Sequence, residues 1–163
     1  MTSSPSSHQT TRLWLAPLLL FVLSACNQTA FPKAPAAGGE MTAAIIDPYL
    51  KIQSALASDS VDGVRANAGE IATAATALGA PAMKIDTTAL QLASAGDLDD
   101  ARAKFGALSE ALDTYMTGMK LTPPEGVRVA FCPMVKKPWL QREESLRNPY
   151  YGSQMLTCGS FRN

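Results

Sequence analysis

The sequence predicts a mostly α-helical protein: an up-and-down bundle of about four helices, completed by a small C-terminal irregular subdomain with short strands. Three observations predict it. Apolar residues between Met41 and Met119 recur at three- and four-residue steps, the period of one helix face. Glycine, proline and capping residues break that pattern at short intervals, as in bundles whose neighbouring helices are antiparallel. After Lys120 the periodicity changes to a two-residue alternation followed by turn residues. The composition, 47% hydrophobic and 17% charged, suits a folded domain of this kind.

Residues 1–25 read as an export signal. Arg12 ends a polar stretch, and Leu13–Leu23 is an apolar run too short to span a bilayer. Leu23-Ser24-Ala25-Cys26 follows, with the form of a bacterial lipobox, and the chain resembles bacterial lipoproteins here. The resemblance implies cleavage before Cys26, a lipid on that cysteine, and attachment to the cell envelope facing the periplasm. Stable anchoring needs more than one acyl chain, which that processing supplies. Asn27, rather than Asp, after the cysteine points to the outer membrane in a Gram-negative cell. An ordinary secretory signal with an incidental cysteine is the alternative. On the lipoprotein reading His8, the only histidine, is removed and Cys26 is consumed, leaving Cys132 and Cys158 as the only thiols. Residues 26–40, rich in Pro, Ala and Gly, read as a flexible tether.

The bundle is expected over residues 41–121. Asp47-Pro48 has the form of a cap followed by a proline in the first helical position, with Tyr49, Ile52 and Leu56 on the apolar face and Ile45 extending it backwards. Asp59-Ser60 is a second cap candidate, before Val61, Val64, Ala68, Ile71, Ala75 and Leu78. Gly79 and Pro81 end that helix. A shorter segment carries Met83, Leu90 and Leu92 and stops at Gly96. Asp97 then caps the longest stripe: Leu98, Ala101, Phe105, Leu108, Leu112, Tyr115 and Met119. Asp99, Asp100, Glu110 and Asp113 read as helix-dipole partners or solvated charge rather than a catalytic pair. Met116 and Met119 share a helix face, a spacing open to metal but more common in cores.

The C-terminal subdomain is expected over residues 122–163. Pro123-Pro124 and Gly126 end the last helix, and Val127, Val129 and Phe131 alternate as a strand that delivers Cys132 to a turn at Pro133. Gln141–Arg147 has the length for a turn or two of helix. Asn148-Pro149 and Tyr151-Gly152 are turn residues, and Met155–Cys158 reads as a second extended segment beside the first. Charge divides along the chain: eleven acidic against five basic residues over Glu40–Met119, then seven basic against three acidic. Solvated charge is the expected reading, with docking of tail on body as the other. The formal net charge is zero and the basic residues are few, so a nucleic-acid partner is not expected.

Cys132, Met134, Met155 and Cys158 form the candidate site. Thiolate and thioether are soft donors, which select Cu(I) or Ag(I) over hard cations. Zinc is the poorer match, since structural zinc takes four Cys or His ligands. The same cysteines can instead form a structural disulfide in an exported protein, closing a loop of about 25 residues worth roughly 3 kcal/mol. No C-x-x-C, nucleophile elbow or phosphate-cradling glycine loop is present, so no enzyme is expected.

Cys132-Pro133-Met134, Trp139-Leu140, Asn148-Pro149-Tyr150-Tyr151-Gly152 and Met155-Leu156-Thr157-Cys158-Gly159, with Asp47-Pro48-Tyr49-Leu50 upstream, resemble the uncharacterised bacterial family termed domain of unknown function 3347. The resemblance spans residues 43–159 and departs from the family's pattern in the short spacer Val135–Pro138. It implies a helix-rich periplasmic domain, found alone or attached to CusB-type heavy-metal efflux adaptors, and associated with copper or silver handling. The expected function is therefore a lipid-anchored copper or silver binder accessory to heavy-metal efflux, with an efflux adaptor or other envelope protein as partner. The alternative is a non-catalytic envelope interaction scaffold stapled by a Cys132–Cys158 disulfide. A partner role would draw on Lys136, Lys137, Arg142 and Arg147.

Overall fold

The computed structural model describes residues 1–2 and 41–162. The export signal, Cys26 and the tether lie outside the described residues. Four helices are followed by a three-stranded antiparallel sheet: α1 (Ala43–Ala57), α2 (Val64–Leu78), α3 (Met83–Ala93), α4 (Leu98–Met119), β1 (Arg128–Cys132), β2 (Lys137–Gln141) and β3 (Ser160–Phe161). The protein is mostly α with a small strand subdomain, as the periodicity predicts. Among the described residues no helix is long and apolar enough to cross a membrane.

Each helix packs on the next in sequence, while α1 and α4 scarcely meet. Strand β2 lies against both and completes the bundle. In the sheet order β2-β1-β3, one edge of β2 faces no strand. That edge is covered by helices, and two tyrosine hydroxyls satisfy it. Tyr49 of α1 accepts the Leu140 amide N–H (3.2 Å), and Tyr150 donates to the Pro138 carbonyl. Residues 138 and 140 point the same way along a strand, and proline at 138 has no N–H to place on that side. Tyr49 also bonds Ser109 Oγ of α4 at 2.7 Å. Its ring lies 4.9 Å from that of Phe105, which lies 6.0 Å from Tyr150, which in turn meets Trp139 edge-on at 6.0 Å. This aromatic column is the shared core of helices and sheet, since offset and edge-on rings add to the stabilisation of burial. Burial pushes the ionisation of both tyrosines well up.

Several element boundaries differ from expectation. Helix α1 begins four residues before Asp47: Thr42 is its N-cap and Pro48 lies inside it. Ile45 and Ile46 are both fully buried, and burying them draws the first turn back at the cost of one hydrogen bond to the Ala44 carbonyl. Ser60 does not cap α2. It accepts the Asp62 N–H in a local turn, Gly63 is the N-cap residue, and Val61 is exposed. In α3 the buried face is Ile85, Ala89 and Leu92, while Met83 and Leu90 are exposed. Asp97 caps α4 as expected, accepting the Asp100 N–H at 2.9 Å while Asp100 reaches back to the Gly96 N–H. Ala101, Phe105, Leu108, Leu112 and Tyr115 are buried on its stripe, and Met116 and Met119 pack in the same core.

Gln141–Arg147 forms no helix. Gln141, fully buried, uses its whole amide: Oε1 accepts from Trp139 Nε1 and the Arg147 N–H, and Nε2 donates to the carbonyls of Glu143 and Ser145. That side chain gives the link the backbone bonding a helix would have supplied. Met155–Cys158 is a turn rather than a strand, and the strands pairing with β1 are Lys137–Gln141 and Ser160–Phe161. The basic tail docks on the acidic body, against the expectation of solvated charge. Lys137 pairs with Glu110, Arg162 with Asp113 at 3.0 Å, and Arg142 with Asp47 at 3.6 Å.

Candidate functional site

Strand register brings the cysteines together. Phe131 pairs with Ser160 across β1 and β3, so the next step down the pair sets Cys132 against Gly159, with Cys158 adjacent. Gly159 has φ of 143°, and a Cβ there would lie 2.7 Å from the Trp139 ring and 2.8 Å from the Phe131 carbonyl. Only glycine lets the chain cross the indole this closely and place the Cys158 thiol beside the sheet.

Cys132 ends β1 and is fully buried, whereas Cys158 is half-buried, and neither is bridged. Asn148 holds the two in one frame. It has no exposed surface, and its Nδ2 donates to Cys132 Sγ at 3.3 Å and to the Cys158 carbonyl at 2.7 Å. Its Oδ1 accepts the Tyr150 N–H at 2.8 Å, its own N–H donates to the Leu156 carbonyl, and its carbonyl accepts from Gly152. An amide so fully used is fixed in orientation, which leaves one N–H aimed at sulfur. Partial desolvation pushes the ionisation of Cys158 up, and the neighbouring Cys132 sulfur, through its charge and a hydrogen bond, adds to the shift. Cys158 therefore holds its proton to higher pH than a free thiol.

The methionines sit at the rim. Met155 opens the turn that the Cys158 N–H closes on its carbonyl at 3.0 Å, and its side chain is partly exposed. Met134 lies in the β1–β2 loop, two residues beyond Cys132, and is 60% exposed. The structure thus links the two cysteines through Asn148 and leaves both thioethers at the surface. Among the described residues no group of three or more His, Cys, Asp or Glu side chains is placed to hold a metal ion. A metal at the thiol pair would draw any further donor from methionine, main chain or solvent.

The loop bearing Met155 and Cys158 is tied to the bundle by a node the sequence pattern did not single out. Arg102 of α4 donates to the Leu56 and Pro149 carbonyls, each at 3.1 Å, and pairs with Asp59. Asp59 in turn accepts the Ser153 N–H. Hydrogen bonds from Ser153, then from Arg102, hold the Asp59 carboxyl below the usual carboxylate range. Arg102 and Asp59 lie 43 positions apart, and Asp59 reads in the sequence only as a cap candidate. Asn148 was legible only as a turn residue before proline, a role it does play through its Oδ1. Of the proposed basic face, Lys137 and Arg142 pair with the body and Arg147 bonds Ser58 and approaches Glu143, while Lys136 is exposed.

Open grooves run along the helices, one of about 1090 Å³ between α1 and α2 and one of about 580 Å³ between α3 and α4. Neither is lined by Cys132, Cys158 or Asn148. Among known proteins, no family model, no curated sequence and no solved structure matches this chain.

Proposed function

We propose that this protein binds a soft monovalent metal, Cu(I) or Ag(I), through Cys132 and Cys158, and that it does so as a lipid-anchored envelope protein accessory to heavy-metal efflux. The observation that carries the reading is the unbridged thiol pair, held on one rigid asparagine with one sulfur reaching the surface. Cu(I) accepts two or three sulfur donors, and two converging thiolates meet that need without histidine. A third position would fall to Met155, whose carbonyl accepts the Cys158 N–H, or to Met134 on the opposite loop. Such a donor set matches the chemistry implied by the resemblance to domain of unknown function 3347. The lipid anchor on Cys26 and the efflux adaptor as partner belong to the same proposal.

The test is a competition titration of Cu(I) against a chromogenic chelator under anaerobic conditions. Wild type should take up one metal per chain, and Cys132→Ser/Cys158→Ser should take up none. Equal uptake by both would overturn the reading. A second reading, a non-catalytic envelope interaction scaffold stapled by a Cys132–Cys158 disulfide, is favoured by the single Asn148 amide that bonds both Cys132 Sγ and the Cys158 carbonyl and so keeps the two residues close. Quantitative oxidation with no uptake even after reduction would select it.

A further inference from the structure

We infer that Cys132 and Cys158 form a thiol–disulfide exchange site for low-molecular-weight thiols, with Cys158 as the sulfur that is attacked and Cys132 as the sulfur that leaves. The inference does not depend on metal binding. It rests on an asymmetry between the two sulfurs and on the group placed behind one of them.

Exchange requires an incoming thiolate to reach one sulfur of a disulfide in line with the bond, while the other sulfur departs with the electron pair. Cys132 has no exposed surface, lying between Asn148 and the strand end, so an external thiol has no approach to it. Cys158 is half-buried at the close of the Met155–Cys158 turn and is the accessible sulfur. Behind Cys132 the fixed Asn148 Nδ2–H already points at Sγ, where it stabilises the negative charge that develops as the bond breaks. The amide needs no rearrangement to do this, because its other N–H and its carbonyl oxygen are committed to the Cys158 carbonyl and the Tyr150 N–H.

In the oxidised state a thiolate RS⁻ attacks Cys158 Sγ. The Cys132–Cys158 bond breaks and its electron pair passes to Cys132 Sγ, giving a Cys158–S–S–R mixed disulfide. A second RS⁻ attacks the R sulfur, releasing RSSR and the Cys158 thiolate. Each of the two chain thiolates then takes up a proton. Two electrons move from two thiols to the protein disulfide, and the reverse sequence oxidises the dithiol at the expense of RSSR. Asn148 is a positioning residue in both directions.

The probe is glutathione, in reduced and oxidised mixtures, with the full chain and intact-mass readout after acid quenching. Cys132→Ser should accumulate a mixed disulfide on Cys158, releasing one glutathione thiolate from oxidised glutathione, whereas Cys158→Ser should form one on Cys132 at least about tenfold more slowly, as the burial of that sulfur requires. Equal rates at the two cysteines, or faster labelling of Cys132, would overturn the inference. In the wild type, Asn148→Ala should slow reduction of the preformed disulfide by about tenfold, the rate equivalent of one hydrogen bond to a charged atom. Should that variant fail to fold, the comparison of the two serine variants still decides the matter, and circular dichroism identifies the failure. Unchanged reduction in a folded Asn148→Ala protein would remove Asn148 from the mechanism.

Discussion

Replacing Tyr49 with phenylalanine tests how the sheet is held on the bundle. The substitution keeps the ring stacked on Phe105 and deletes one oxygen that bonds Ser109 Oγ at 2.7 Å and accepts the Leu140 N–H at 3.2 Å. Ser109 lies within α4 and has an alternative acceptor in the carbonyl four residues back, so its loss is small. The Leu140 N–H has no such recourse. It lies on the strand edge that faces helices rather than another strand, and Leu140 is buried. Leaving a buried donor unpaired costs about 1–3 kcal/mol, and we expect about 2 kcal/mol here. Urea unfolding should show a lower midpoint with an unchanged slope, since the surface exposed on unfolding does not change. Amide exchange should report the same event locally, with the Leu140 proton losing protection by roughly thirtyfold, the equilibrium equivalent of that energy. A loss below about 0.5 kcal/mol, within the range of ordinary surface substitutions, together with unaltered Leu140 exchange, would refute the claim that Tyr49 secures β2.

Other outcomes follow from the same geometry. Gly152 has φ of 55°, and a Cβ there would fall 1.9 Å from Asp59 Oδ1 and 2.3 Å from Arg102 Nη2. Gly152→Ala should therefore displace the Asp59–Arg102 pair and lower stability by about 2 kcal/mol or more in urea unfolding, as strain at a left-handed glycine position does. Asp59 and Asp100 both have carboxyls held below their ordinary value of 3.8, Asp59 by Ser153 and Arg102, Asp100 by Lys104 and the Gly96 N–H. The stability they contribute is present above that value and is lost as pH falls through the depressed values in the folded state. Asp59→Asn should flatten the acid limb of the urea midpoint plotted against pH. Cys158, with its ionisation pushed up, keeps its proton to higher pH than a free thiol. Cu(I) must displace that proton, so affinity measured by chelator competition should rise by about tenfold per pH unit for each proton released, through and beyond neutral pH.

The helical part of this fold is written in local pattern, and it was read accurately wherever pattern and packing agree. Asp97 and Gly79 mark helix ends because a cap or a terminating glycine acts on its own few residues. Thr42 was missed because Asp47-Pro48 carries the stronger local signal, while the burial of Ile45 and Ile46, which decides the matter, is a tertiary effect. Strand β2 was missed for a similar reason. Lys137-Pro138-Trp139-Leu140-Gln141 does not alternate, because its outward edge is covered by helices and four of its five residues are buried. A strand buried on more than one side loses the period-two signal.

The candidate site divides along the same line. The two cysteines were visible as the only thiols besides Cys26, and the structure ties both to one asparagine. Asn148 and Arg102 were not legible as parts of the site, since nothing in their neighbourhoods of sequence states that one will bridge residues 132 and 158, or the other residues 56, 59 and 149. A buried side-chain amide with every group committed is recognisable only in three dimensions. The ion pairs of Lys137, Arg142 and Arg162 with the body show the same limit: the division of charge was plain, but the partners depend on how the sheet lies across α4 and α1.

The central claim, that Cys132 and Cys158 act as one soft-metal site, is tested most directly by metal protection of the thiols. The reduced chain would be given one equivalent of Cu(I) without oxygen, then treated with an alkylating reagent and digested for mass spectrometry. The account predicts that Cys158, the accessible thiol, becomes shielded in proportion to metal added, and that Cys132→Ser leaves Cys158 open to the reagent with metal present. Alkylation of Cys158 at the same rate with and without metal would contradict it.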